Sequence, residues 1–133
     1  MQWDSTGRRD GSGPVVAAVD DDFRVRESIE SLMESAGYQP VLFASADKFL
    51  RSGILSDAAC VITDVRMPGI DGIELQRLIR KEMPALPVIF ISAHVSEETR
   101  QLALEGGAVA FLYKPFDAAE LLRVVHAALS KSQ

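Results

Sequence analysis

The sequence predicts an α/β domain built around a five-stranded, doubly wound parallel sheet, a (βα)5 arrangement. Two observations carry this prediction. Short apolar runs of strand length alternate five times with amphipathic helical patterns. Polar residues that suit a binding pocket also stand at the carboxyl ends of four of those runs, which is where open α/β sheets bind their ligands.

The predicted strands are short apolar runs near residues 15–19, 41–44, 60–63, 87–91 and 109–113. The predicted helices fill the gaps, near residues 23–36, 46–52, 72–82, 97–105 and 118–130. In the first helix the apolar residues form one stripe, made of Val25, Ile29, Leu32, Met33 and Ala36. Gly37 then ends that helix. Such alternation predicts right-handed crossovers, with helices on both faces of the sheet.

Acidic residues mark several helix starts. Asp22 is placed as the N-cap of the first helix. Asp71 with Glu74, and Asp117 with Glu120, have the spacing of a capping box, with Asp in place of Ser or Thr. These caps agree with the apolar periodicity and support the predicted boundaries.

Composition bounds the kind of protein. The chain has 133 residues, of which 47% are hydrophobic, and this suits one compact domain. Its formal net charge of −5 opposes non-specific attraction to nucleic acid or to an anionic membrane. The single cysteine, Cys60, cannot form an internal disulfide, and no apolar run has the length of a membrane span or the character of a signal peptide. We therefore expect a cytoplasmic protein.

The domain is predicted to occupy residues 15–130. Residues 1–14 are rich in Gly, Ser and charge, and they predict a disordered lead-in, while residues 131–133 form a short tail. The chain ends at Gln133, a few residues after the last predicted helix, so we expect no output domain within it. A single-domain protein and a piece of a longer transcription factor both stay open.

The strand ends carry acids, a hydroxyl and an ammonium. Asp20 and Asp21 follow the first strand, Asp64 follows the third, Ser92 ends the fourth, and Lys114 follows the fifth. Carboxylates that share a pocket repel one another and either bind protons or recruit a cation. Oxygen ligands without nearby Cys or His favour Mg²⁺.

A carboxylate beside a divalent cation, a hydroxyl and an ammonium suits phosphoryl transfer onto that carboxylate. The cation and Lys114 neutralise the oxygens of the transferring group, and Ser92 donates to another of them. Asp64 then attacks in line as the nucleophile.

These motifs resemble the receiver domain of two-component response regulators, over about Val15 to Leu129. The motifs that carry the resemblance are VDDD at 19–22, DVRMPGIDG at 64–72, ISA at 91–93 and KPF at 114–116. Within the family the chain is most similar to receivers joined to LuxR-type helix-turn-helix outputs. The resemblance implies a flavodoxin-like fold with strand order 2-1-3-4-5.

The resemblance also implies individual roles. Asp64 becomes the phosphoacceptor and, with Asp21, a direct ligand of Mg²⁺. Asp20 acts on the metal through water, and the backbone carbonyl of Arg66 is the third protein ligand.

Ser92, Phe111 and Lys114 match the family's switch residues. Phe at position 111, where Tyr is frequent, keeps the ring but lacks the hydroxyl. A cis bond is implied between Lys114 and Pro115.

Two further positions tune the phosphoryl lifetime in the family, and here they are Arg66 and His94. Either side chain can shield the phosphoryl group or orient the attacking water, and the sequence leaves both roles open.

The implied function is a phosphorylation switch that takes its phosphoryl group from a sensor histidine kinase, hydrolyses it slowly and controls an output in transcription regulation. Activation is expected to promote homodimerisation through the fourth helix, fifth strand and fifth helix. The cognate kinase, the regulated pathway and the oligomeric state of the isolated domain stay open.

The residues also suit three other kinds of protein, each less well. An aspartyl-phosphate phosphatase would use Asp20 of the Asp20-x-Asp22 pair as its nucleophile, but such enzymes need a cap domain. A pseudo-receiver would share the fold without phosphorylation. A flavin-binding relative is disfavoured, because three carboxylates after the first strand would repel a phosphate.

Overall fold

The computed structural model describes residues 13–131. Within that range five strands alternate with five α-helices, and a short 3₁₀ turn, Ile54–Ser56, precedes the third strand. The elements in chain order are β1 (Val15–Val19), α1 (Phe23–Ser35), β2 (Gln39–Phe43), α2 (Ala46–Ser52), β3 (Cys60–Thr63), α3 (Gly72–Glu82), β4 (Val88–Ser92), α4 (Glu97–Glu105), β5 (Ala110–Tyr113) and α5 (Ala118–Lys131). Each predicted strand and helix is present.

The five strands form one parallel sheet in the order β2-β1-β3-β4-β5, as predicted. The order reverses between β1 and β3, so a crevice opens at the carboxyl ends of these two strands. β2 begins at Gln39, two residues before the predicted start at 41. Pro40 lies inside it, and an edge strand tolerates a residue that lacks an N–H group.

Two apolar layers cover the two faces of the sheet. The layer beneath α1 and α5 includes Val16, Ile29, Met33, Ile62, Ile91, Leu121 and Val125. The layer beneath α2, α3 and α4 includes Ala17, Val19, Phe49, Val61, Leu75, Ile79 and Phe90. The central strands are therefore buried on both sides, which explains why they read as unbroken apolar runs rather than alternating ones.

The predicted caps are present, but the capping boxes are only half formed. Asp22, Asp71 and Asp117 each accept hydrogen bonds from backbone N–H groups of the helix that follows. Glu74 does not reach back to its cap, because its carboxylate pairs with Arg77 one turn later. The reciprocal bond that the spacing suggests therefore gives way to an ion pair along the helix.

The predicted disordered lead-in lies outside the described residues, apart from its last two. Of those two, Pro14 accepts a hydrogen bond from the Gln39 N–H through its carbonyl oxygen, over 2.8 Å. At the other end α5 continues to Lys131, one residue beyond its predicted end, and the last two residues of the tail lie outside the described range. None of the helices in residues 13–131 is long and apolar enough to cross a bilayer.

Candidate functional site

The residues predicted at the strand ends meet at the carboxyl edge of the sheet. The Lys114 ammonium contacts both buried acids, with its Nζ 2.7 Å from Asp64 Oδ2 and 2.9 Å from Asp20 Oδ2. The Ser92 hydroxyl donates a hydrogen bond to Asp64 Oδ1 over 3.0 Å. Four residues that are distant in sequence thus form one cluster around the Asp64 carboxylate.

The backbone around Asp64 is fixed by its neighbours. The Thr63 hydroxyl donates to the Asp64 carbonyl oxygen over 3.0 Å, and the Arg66 N–H approaches Asp64 Oδ1 at 3.3 Å. Gly72, at the start of α3, packs so closely that a Cβ there would lie 2.1 Å from the Asp64 carbonyl oxygen. Only glycine fits at this contact. Thr63 and Gly72 therefore support the site. Neither role is predicted by the motifs, although a glycine directly after the cap Asp71 is a usable signal.

Asp20 is almost fully buried, with 2% of its surface exposed. Burial raises the pKa of its carboxyl group, while the Asp22 N–H, which donates to Oδ1 over 2.8 Å, and the Lys114 ammonium act in the opposite direction. The net pKa of Asp20 lies above its ordinary value because burial is the largest influence.

Lys114 stays protonated in this setting. Burial lowers the pKa of its ammonium, but the hydrogen bonds and charges of Asp64 and Asp20 together outweigh burial, so the net pKa is raised. The ammonium therefore neutralises part of the negative charge of the site.

The acids can hold a divalent cation. Asp20, Asp21 and Asp64 each offer a carboxylate oxygen, and these oxygens lie within 4.8 Å of one another. With all three acids ionised, the single Lys114 ammonium leaves an excess of two negative charges, which a divalent cation would balance. The donor set is all oxygen, and Asp21 is exposed at the mouth, so the residues present fit Mg²⁺ with water completing its shell.

Phe111 lies on β5, three residues before Lys114, and is half-buried. Its ring stacks on Phe90 with centroids 5.7 Å apart, and it contacts the Tyr113 ring at 5.4 Å. The ring thus packs between a buried and an exposed aromatic side chain. Its role as a switch residue stays a prediction.

The remaining predicted positions frame the mouth of the site. The Lys114–Pro115 bond is cis, as predicted. Arg66 and His94 are both exposed, and their predicted influence on phosphoryl lifetime stays a prediction.

The model of the response regulator receiver domain family matches residues 16–126, which is most of the chain. This chain belongs to the response regulator receiver family. The chain is 40% identical to the transcriptional regulatory protein FixJ of Azorhizobium caulinodans over 117 aligned residues. This alignment covers 88% of this chain and 56% of that protein. It is also 40% identical over 115 residues to the response regulator protein TodT of Pseudomonas putida, covering 86% of this chain and 51% of that protein.

Solved structures of response regulators have the same fold as this chain. The chemotaxis protein CheY4 of Vibrio cholerae superposes with a TM-score of 0.81 at 27% identity, covering 89% of this chain and all of that chain. The response regulator StyR superposes with a TM-score of 0.81 at 36% identity, covering 91% of this chain and 61% of that chain. The receiver domain is thus a signalling switch of a two-component system, and it spans about half the length of the curated relatives it matches.

Proposed function

We propose that Asp64 accepts a phosphoryl group from a phosphohistidine of a sensor kinase. The observation that carries this proposal is the surroundings of its carboxylate, which has the Lys114 ammonium at 2.7 Å on one oxygen and the Ser92 hydroxyl at 3.0 Å on the other. Both groups are donors that can bind the oxygens of an incoming phosphoryl group. No other acid in the described residues has an ammonium and a side-chain hydroxyl on its two carboxylate oxygens.

The proposed transfer is a nucleophilic displacement at phosphorus. An oxygen of Asp64 attacks the phosphorus atom, the bond from phosphorus to the kinase imidazole nitrogen breaks, and the electron pair of that bond stays with the imidazole. Lys114 and Ser92 move their hydrogen bonds from the carboxylate to phosphoryl oxygens. Slow hydrolysis by water then returns Asp64 and inorganic phosphate.

Asp20, Asp21 and Asp64, with the Arg66 backbone carbonyl, would hold Mg²⁺. When bound, the ion supplies positive charge that offsets the charge of the phosphoryl oxygens. Asp20 and Asp64 also hold the Lys114 ammonium in place.

Treatment with acetyl phosphate and Mg²⁺, followed by intact-mass analysis, tests the assignment. Wild type should gain one phosphoryl group, and Asp64→Asn should gain none. Asp57→Asn is the matched control, because Asp57 is an exposed loop aspartate before β3 and should leave modification unchanged. Equal modification of Asp64→Asn and wild type would rule out Asp64.

A phosphatase with Asp20 as nucleophile is the alternative enzyme. Asp20 shares the Lys114 ammonium with Asp64, but its other oxygen accepts from the Asp22 N–H, and within the described residues no side-chain hydroxyl contacts it. This geometry favours a supporting role. Asp20→Asn should therefore still be modified on Asp64, at a reduced rate, whereas a phosphatase would lose its covalent intermediate.

We also propose that activation promotes a symmetric dimer through α4, β5 and α5. Three large apolar side chains on α4 and around β5 are exposed, namely Leu102 at 56%, Val109 at 47% and Tyr113 at 47%. A two-fold interface would use this patch twice. The Phe111 ring stacks on Phe90, which lies two residues before Ser92 on β4, and it also contacts Tyr113 in the patch, so these rings connect the strand that carries Ser92 to the patch.

Light scattering with and without beryllofluoride tests the dimer. Wild type should shift from monomer toward dimer, and Phe111→Ala should shift less, because the ring that supports Tyr113 is gone. Phe43→Ala is the control, since Phe43 lies on the opposite edge strand β2. A monomer in both states would contradict the dimer.

The wider role follows from the relatives. FixJ is named as a transcriptional regulatory protein and TodT as a response regulator protein. We therefore include a role in transcription regulation in this proposal. The proposal also includes a cytoplasmic location, which suits a histidine kinase as partner and the free thiol of Cys60.

A further inference from the structure

The side chain of Arg26, in the first turn of α1, reaches back to the loop that carries the acidic pair. Its Nη1 donates a hydrogen bond to the backbone carbonyl oxygen of Asp20 over 2.7 Å. The guanidinium carbon lies 5.8 Å from the centroid of the Phe23 ring, within the range of a cation–π contact. The first contact ties this half-buried side chain to the loop between β1 and α1, and the second packs it on the first residue of α1.

The Asp20 carbonyl belongs to the peptide unit that joins Asp20 to Asp21. A peptide unit is planar, so fixing its oxygen also fixes the direction of the Asp21 N–H. From that plane, rotation about the N–Cα bond sets the position of the Asp21 Cβ, and rotation about the side-chain bonds then turns the carboxylate. The Arg26 contact therefore restrains where the Asp21 side chain starts, and so the region that its carboxylate can reach.

Asp21 needs this restraint more than its neighbour does. Asp20 is buried, with the Asp22 N–H on Oδ1 at 2.8 Å and Lys114 on Oδ2 at 2.9 Å. Asp21 is exposed, and within residues 13–131 no hydrogen-bond donor contacts its carboxylate. Its place beside Asp20 and Asp64 thus depends on the backbone that carries it.

We infer that Arg26 is a positioning residue for the metal-binding acids, acting through the Asp20–Asp21 peptide, with Phe23 supporting its guanidinium. The inference rests on the proposed function, since metal binding at this cluster is itself proposed. A site whose ligands are held in place before binding loses less conformational freedom when the cation arrives, and its affinity is higher. Phe23, which is 61% exposed, then has a role through the contact of its ring with the Arg26 guanidinium.

The charge of Arg26 acts in the opposite direction. A positive charge near a cation site lowers the affinity for the cation, so removing it would raise Mg²⁺ affinity if charge were the main effect. Loss of positioning lowers the affinity instead. The sign of the change therefore separates the two effects.

The test is a Mg²⁺ titration of ¹⁵N-labelled protein by NMR. Arg26→Ala should weaken Mg²⁺ binding by about tenfold, the scale expected for loss of a hydrogen bond from a charged group. Arg26→Lys, which keeps a donor, should stay within about threefold of wild type. Arg24→Ala is the matched control, because it removes the same charge from an exposed position in the same turn and should leave the affinity equal or slightly higher.

A second readout needs no metal. The Asp22 N–H bonds to Asp20 Oδ1, so its hydrogen exchange in EDTA reports the order of the loop. Exchange should be about tenfold faster in Arg26→Ala and unchanged in Arg24→Ala. Phe23→Leu, which removes the aromatic ring beneath the guanidinium, should shift both readouts in the same direction by a smaller factor.

Unchanged or tighter Mg²⁺ binding in Arg26→Ala, or unchanged exchange at Asp22, would overturn the inference and leave Asp64 phosphorylation standing. A wild type that binds no Mg²⁺ would overturn the proposed metal site and, with it, the inference. Arg26→Lys and Phe23→Leu keep the test decisive if Arg26→Ala does not fold.

Discussion

At the scale of single residues, Lys114 holds the acidic site together in the absence of a cation. Its ammonium bridges Asp64 and Asp20 at 2.7 and 2.9 Å, and 17% of its side chain is exposed. This contact differs from a surface ion pair, because removing the Lys114 ammonium would leave two buried carboxylates facing each other. In the proposed transfer, the same ammonium would bind the phosphoryl oxygens.

Cys60 gives the first prediction. Burial in β3 raises the pKa of its thiol to about 12, against an ordinary value of 9.0. A raised folded-state pKa contributes stability that is complete below pH 9 and is lost as the pH rises toward 12. Since thiolate is the reactive form, the native thiol should react with a disulfide reagent at pH 8 at least about a hundredfold more slowly than in urea.

The stability effect is measured by urea unfolding at pH 8 and pH 10. Wild type should lose about 1 kcal/mol more than Cys60→Ala between these values, because only the unfolded wild type releases the thiol proton. A native thiol that reacts as fast as the unfolded one, or equal losses in both proteins, would contradict the buried, protonated state.

At the scale of elements, the junction of β3 and α3 holds Asp64 in position. The Gly72 N–H donates to the Val65 carbonyl oxygen over 2.8 Å, and the Cα of Gly72 packs against the Asp64 carbonyl. The first residue of α3 is thus fitted to the backbone of the proposed phosphoacceptor.

Gly72→Ala should destabilise the fold by about 1–3 kcal/mol despite the better helix propensity of alanine. The new Cβ would clash with backbone atoms of Asp64 and Val65, which cannot move away by a side-chain rotation. Gly106→Ala is the comparison, since its Cβ would meet the end of the Gln76 side chain. Urea unfolding should show a clearly smaller loss there. A neutral or stabilising Gly72→Ala would show that the junction relaxes easily.

Sequence patterns predicted the elements and which side chains meet at the carboxyl edge of the sheet, for a physical reason. Strand ends can be read from local apolar runs, and parallel strands bring their ends to one edge, so Asp64, Ser92 and Lys114 were found. Arg26 and Gly72 were missed because their roles depend on how closely a helix approaches a loop. Gln76 reads as a surface residue, yet it is 5% exposed and donates to the Ala103 carbonyl oxygen, which ties α3 to α4.

At the scale of the whole molecule, the reversal of strand order between β1 and β3 places an acidic cluster in a crevice of a chain whose net charge is already −5. A bound divalent cation should therefore stabilise the folded state. One-site binding adds about 2.7 kcal/mol when free Mg²⁺ is a hundredfold above its dissociation constant.

Asp21→Ala should abolish this Mg²⁺-dependent gain without lowering the stability of the metal-free protein, because it removes like-charge repulsion from the cluster. Asp57→Ala, outside the site, should keep the full gain. Thermal unfolding in EDTA and in Mg²⁺ measures both. Retention of the Mg²⁺ effect in Asp21→Ala would place the cation elsewhere.

The central claim is that Asp64 is the phosphoacceptor, and borohydride trapping tests it most directly. Reduction of an aspartyl phosphate converts that aspartate to homoserine, which peptide mass spectrometry then locates in the sequence. After treatment with acetyl phosphate and Mg²⁺, homoserine is predicted at position 64 and at no other position. Homoserine at position 20, or at position 21, would contradict the account.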